Sequence, residues 1–167
     1  VEGYQASQGI QFAGVQTRAE SVRIVGKVGF STHPMIEHFK FLKANTKETA
    51  KMTIPAPSVL HFRGGRKGIS EKIYPDLDQF FHDLGAAYNK AVKAFYDAGC
   101  RYLQMDDIFF AYLCDPKHRA GKQAEGQDPD WLIERYAWMM HEAIKDRPAD
   151  MLIGMHMCRG NFVSTHA

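Results

Sequence analysis

The sequence predicts an α/β fold of parallel β/α units, about half of an eight-stranded (β/α)8 TIM barrel. Three observations lead there. β-Branched and apolar runs alternate with helix-period segments in short cycles, as strands joined by helical crossovers do. Two of those runs carry their ionisable residues at the C-terminal end. Both therefore place chemistry at the rim where β/α barrels hold their active sites. A doubly wound open sheet satisfies the alternation equally well, and the strand ends favour the barrel.

Taken in order, residues 1–20 are polar and rich in Gly and Gln, and leave a poorly defined N-terminal segment. "SVRIVGKVGF" is β-branched, closes on "STHP" and reads as the first strand. Met35, Phe39 and Leu42 then recur at helical spacing. "KMTIPAP" is a short strand stopped by prolines. "IPAPSVLHFRGGRKG" reads as a long loop over the rim. In "DLDQFFHDLGAAYNKAVKAFYDAG" an apolar stripe runs through Phe80, Phe81, Leu84, Ala87, Tyr88, Ala91, Val92 and Phe95. Gly99 stands where such a helix stops. "RYLQMD" follows as a strand. "DPDWLIERYAWMMHEAIKDRP" is a helix capped by Asp128 or Asp130, with Ile133, Ala137, Met140 and Ile144 in step. "MLIGMHMC" is the last strand. Four parallel strands and three crossovers are thus expected, in one partial barrel domain over 1–167 whose further strands lie beyond 167. Val1 in place of methionine fits a processed or partial chain.

Composition narrows the class. The chain is 45% hydrophobic and 24% charged with a net charge of +2, an ordinary globular balance. No Lys/Arg run marks a nucleic-acid footprint, and no apolar run is long enough to span a bilayer. With no signal peptide visible, a cytoplasmic setting is expected. Three cysteines argue against a disulfide framework. Cys100 and Cys114 read as structural, leaving Cys158.

Side chains alternate along a strand, so residues two apart share a face. In the last strand one face holds Met151, Ile153, Met155 and Met157; the other holds Leu152, Gly154, His156 and Cys158. In "RYLQMDD", Tyr102, Gln104 and Asp106 oppose Leu103 and Met105. An imidazole and a thiolate two apart are suitably spaced for one metal ion, zinc above all, though they supply only half of its four ligands. A satisfied histidine beside a buried thiol is the competing reading. Of the acidic doublet, Asp106 faces inward, able to grip a substrate amine, while Asp107 suits a helix cap or a neighbour. Both are candidate catalytic residues. Ser58, His61 and Arg63 in the loop, and His33 after the first strand, are candidate substrate contacts. Arg66 and Lys67 read as solvated, and Trp131 and Trp138 as helix-packing aromatics.

"LQMDD" and "HMCRGN" together resemble the Q-x-D-E strand and the H-x-C zinc motif of the cobalamin-independent methionine synthase family. The blocks agree in order and spacing, and "KMTIPAPSVLHFR" is similar to the segment before the substrate loop. The resemblance covers roughly residues 20–167 and is nearest to the shorter, single-barrel members. It implies zinc as cofactor, with His156 and Cys158 as two of its ligands and the remaining ligands further downstream. It also implies Asp106 as the holder of the acceptor's amino group. The small-molecule partners would be a homocysteine-like thiol and a methyl-folate-like donor, with no nucleic acid and no membrane. The sequence departs from the family pattern at Asp107, Ile108 and Tyr112. Two other readings use the same residues: a zinc-dependent alkyltransferase or lyase on another small thiol, and a non-catalytic binding module. A metal-dependent hydrolase fits less well, because a thiolate ligand reduces the metal's Lewis acidity. An open parallel sheet edge further predicts self-association of the isolated chain.

Overall fold

The computed structural model describes residues 2–7 and 21–158. Strands β1 (Glu2–Ser7) and β2 (Ser21–Gly29) precede helix α1 (Pro34–Ala44). Strand β3 (Lys51–Pro55), the short α2 (Val59–Phe62) and the long α3 (Leu77–Asp97) follow. Strand β4 (Tyr102–Asp107) leads through α4 (Phe109–Cys114), α5 (Pro116–Ala124) and α6 (Pro129–Ile144) to β5 (Leu152–Met157).

β3, β4 and β5 form a parallel sheet in chain order, joined by helical crossovers as the alternation of runs predicts. The expectation of a fourth parallel strand needs correcting. β2 pairs antiparallel with β1, with Gln5 opposite Arg23, and among the described residues its other β-type pairing is an isolated parallel bridge from Ile24 to Ile69. The polar N-terminal residues therefore contain a strand that their composition hides. Pairing with a neighbour, not apolar content, makes it one.

Helix α3 organises the core. The eight stripe residues named from its sequence are all buried, and the helix packs on α6 and β2. Asp76 caps its start, accepting from the Asp78 N–H at 2.9 Å. Its end is a Schellman turn: Gly99 N–H donates to Tyr96 O at 2.8 Å and Cys100 N–H to Phe95 O at 2.9 Å. Gly99 adopts φ +94°, a conformation that side chains resist.

Helix α6 is capped by Asp128, and beyond Pro129 in its first turn its buried residues are Leu132, Tyr136, Met139 and Ala143. The expected stripe is thus one residue out of phase. The apolar arc of this helix is wide enough for either phase, and contact with α3 decides. Gly85 of α3 lets α6 approach so closely that a Cβ there would lie 3.0 Å from Glu142 Cβ. Helix α5 was not foreseen, although its signal is present: Asp115 accepts from the His118 N–H at 2.9 Å and Pro116 occupies the first turn.

Candidate functional site

The rim is set by the sheet register. Pro55, Asp106 and His156 align across β3, β4 and β5, and so do Thr53, Gln104 and Gly154. Adjacent residues in a parallel register point to the same side. Leu103, Met105 and Asp107 face the helices and are buried, whereas Asp106 is exposed on the opposite face. On that face Lys51 Nζ donates to Gln104 Oε1 at 2.6 Å, and Gln104 Nε2 donates to Asp106 Oδ1 at 3.0 Å. This polar row runs up the strands and ends in a carboxylate. The ladder continues past the strand ends: Ala56 N–H donates to Asp106 O at 2.9 Å and Cys158 N–H to Asp107 O at 3.0 Å.

A cavity of about 290 Å³ opens here, walled by Arg63, Asp106, Asp107, His156 and Cys158 on its polar side and by Pro55, Val59, Ile108 and Phe109 on the other. The two strands that carry ionisable residues at their ends therefore meet at one groove. Asp107 is 2% exposed and works as a clasp. Its carboxylate accepts from Phe109 N–H at 2.6 Å, from Phe110 N–H at 3.2 Å and from Ser58 Oγ, so it both starts α4 and anchors α2.

The remaining candidates separate. Arg63 lines the groove. Ser58 is fully buried beneath it and reaches it only through Asp107. His61 is also fully buried and faces the core, because "SVLHF" forms a helical turn and not an open loop. Its Nδ1 lies 2.7 Å from Tyr136 Oη, and its ring stands edge-on to Phe81 at 4.9 Å. Burial, with Lys122 and Arg66 nearby, lowers its pKa from 6.5 to about 3. His33 caps α1, accepting from the Met35 N–H at 3.2 Å. It lines a neighbouring apolar cavity of about 320 Å³ that shares Pro55 and Val59 with the groove. Cys100 is buried, and burial pushes its thiol pKa up; Cys114 is exposed and not packed as expected. Trp131 packs against Phe81 at 5.7 Å, as a helix-packing aromatic should.

Sequence reasoning missed the aromatic floor beside the groove. There Phe62 stacks on Phe109 at 4.4 Å and Tyr112 on His118 at 4.4 Å. The periodic placement of Phe109 and Tyr112 on a helix was the signal available.

The donors His156 and Cys158 match zinc in chemistry, an imidazole and a thiol opening on one groove. They fit as part of a site. Among the described residues no group of three or more His, Cys, Asp or Glu side chains is placed to hold a metal. No described helix is long and apolar enough to cross a membrane.

No family model matches the chain. It is 46% identical over 166 residues to the uncharacterized protein YxjG of Bacillus subtilis, and 44% identical over 168 residues to YxjH of the same organism. Those alignments take in 99% and 100% of the chain but 43% and 44% of the relatives, so it spans under half of their length. A crystal structure of a provisionally assigned vitamin-B12-independent methionine synthase from Listeria monocytogenes superposes with a TM-score of 0.70 at 48% identity. It covers 84% of this chain and 42% of that one. The B12-independent methionine synthase of Shewanella sp. W3-18-1, solved with selenomethionine, matches with a TM-score of 0.62 at 18% identity, covering 85% of this chain and 35% of that one. It supports the fold alone. By sequence and by fold, the chain is therefore similar to part of the provisionally assigned Listeria protein, and its parallel sheet with flanking helices matches part of that protein's barrel.

Proposed function

We propose that this chain carries part of the active site of a cytoplasmic, zinc-dependent methyltransferase that moves a methyl group from a methyl-folate-type donor to the thiol of homocysteine. The observation that supports this reading best is the shared groove, in which His156 and Cys158 face the Asp106 carboxylate across neighbouring strand ends. His156 and Cys158 would hold the metal. Bound there, zinc would supply the charge that strips the proton from an acceptor thiol, whose free pKa is about 8.5. Asp106 would pair with the acceptor's ammonium, and Arg63, which lines the same groove, would be a further substrate contact. Asp107 would position both walls through Ser58 and the start of α4. Such alignment is the main catalytic service a rigid rim offers.

The test is metal content. The protein expressed from its whole gene and purified without chelator should carry about one zinc per chain. His156→Ala and Cys158→Ala should each abolish it. Retention of zinc in both variants, or its absence from the parent, refutes the assignment. Asp106→Asn then separates acceptors: it should raise KM for homocysteine and leave a thiol without an amino group unaffected. Acceptor affinity that barely changes in Asp106→Asn points to the alkyltransferase or lyase reading.

A further inference from the structure

Beside the groove, with which it shares Arg63, the loop after α2 helps to form a third cavity of about 230 Å³, whose lining includes Arg63, Gly65, Arg66, Lys67, Glu125 and Gln127. From sequence alone Arg66 and Lys67 read as solvated. The structure gives them a concave setting. Three cations face one carboxylate there, and that carboxylate is already engaged, since Lys122 Nζ holds Glu125 Oε2 at 2.9 Å. Lys122 is itself fixed, donating to Phe62 O at 2.8 Å, so the pair belongs to the wall. Arg66 reaches Glu71 only through Nε, at 3.6 Å; its Nη1 is buried with no acceptor among the described residues. A buried guanidinium donor without an acceptor is costly and calls for a partner. Gln127 Oε1 is likewise buried without a partner, and an amide can turn to offer its N–H instead. Gly65 keeps the space open. It adopts φ +51°, and a Cβ there would stand 3.1 Å from Gln127 Nε2 and 3.6 Å from Glu125 Oε2.

We propose that this cavity is an oxyanion site, in which Arg66, Lys67 and Arg63 bind a phosphate or a carboxylate-rich group. Guanidinium pairs with either by charge-assisted hydrogen bonds. Arg63 also walls the strand-end groove, so the bound anion is either a free oxyanion or the acidic extension of a ligand whose other end lies in that groove. The site stands apart from the zinc reading, because anion binding can be measured in a His156→Ala, Cys158→Ala double variant.

The experiment is titration calorimetry of the full chain with inorganic phosphate, and separately with citrate, at low ionic strength. Saturable binding of either below about 10 mM is expected. Arg66→Gln and Lys67→Gln should each weaken it roughly tenfold. Lys47→Gln, in the exposed turn after α1, should change it less than about twofold. Tighter phosphate assigns a phosphoryl group, and tighter citrate a carboxylate-rich extension; both support the site. Absence of saturable binding overturns it, and so does an equal loss in Lys47→Gln, which would mark general charge attraction. Lys67 is exposed, so its variant keeps the test valid even where Arg66→Gln does not fold.

Discussion

His61 makes the stability of this fold depend on acid in a calculable way. The ring is wholly buried against Phe81 and Tyr136, with Lys122 and Arg66 adding positive charge nearby. Its pKa is held at about 3 against 6.5 in an unfolded chain. The folded state therefore keeps the imidazole neutral while the unfolded state takes up a proton below pH 6.5. Stability is full above that value and falls as the pH drops towards 3, with the slope set by one proton. Between pH 7 and pH 5 the loss is about 2 kcal/mol, in a range where most carboxylates stay ionised. Urea unfolding at several pH values measures it. His61→Gln, which has no titrating ring and keeps a polar group near Tyr136 Oη, should flatten the slope over that range. A slope of the same size in the variant refutes the argument and moves the proton uptake to another group.

Two further outcomes test the frame around the site. Asp107→Asn should lower stability by about 1–3 kcal/mol in urea unfolding, because it weakens acceptance from Ser58 and the first N–H groups of α4. An unchanged midpoint would show that the clasp contributes nothing net. Gly99→Ala, at φ +94°, should cost about 1–2 kcal/mol. Gly121→Ala, in the middle of α5 with nothing within 4 Å of its Cβ, should stabilise by up to about 1 kcal/mol. Thermal midpoints moving together in the two alanine variants would contradict this contrast.

Much of the rim was legible in the sequence because strand alternation is a strict code. Once "RYLQMDD" and "MLIGMHMC" are strands, Asp106 and His156 must share a face, and the parallel register brings them side by side. Gly99 and the stripe of α3 were legible for a similar reason, since local geometry and burial agree there. The failures lie where a distant partner decides. The phase of α6 depends on the gap left by Gly85, and β1 exists because β2 lies beside it. His61 and Arg63 sit two apart in one basic, Gly-rich stretch that looks uniform. One turn of helix sends the first into the core and leaves the second at the groove. Nothing in the residue types foretells that division.

The carbonyls of Asp106 and Asp107 are taken by opposite neighbours, the first by Ala56 on the β3 side and the second by Cys158 on the β5 side. The two successive peptides that follow these acids are thus fastened from left and right, and the backbone here cannot swing without releasing hydrogen bonds to both adjoining strands. A ligand entering the groove meets a carboxylate whose backbone is already at rest. Its capture should be governed by encounter and charge, with a single kinetic phase and no slow rearrangement following it.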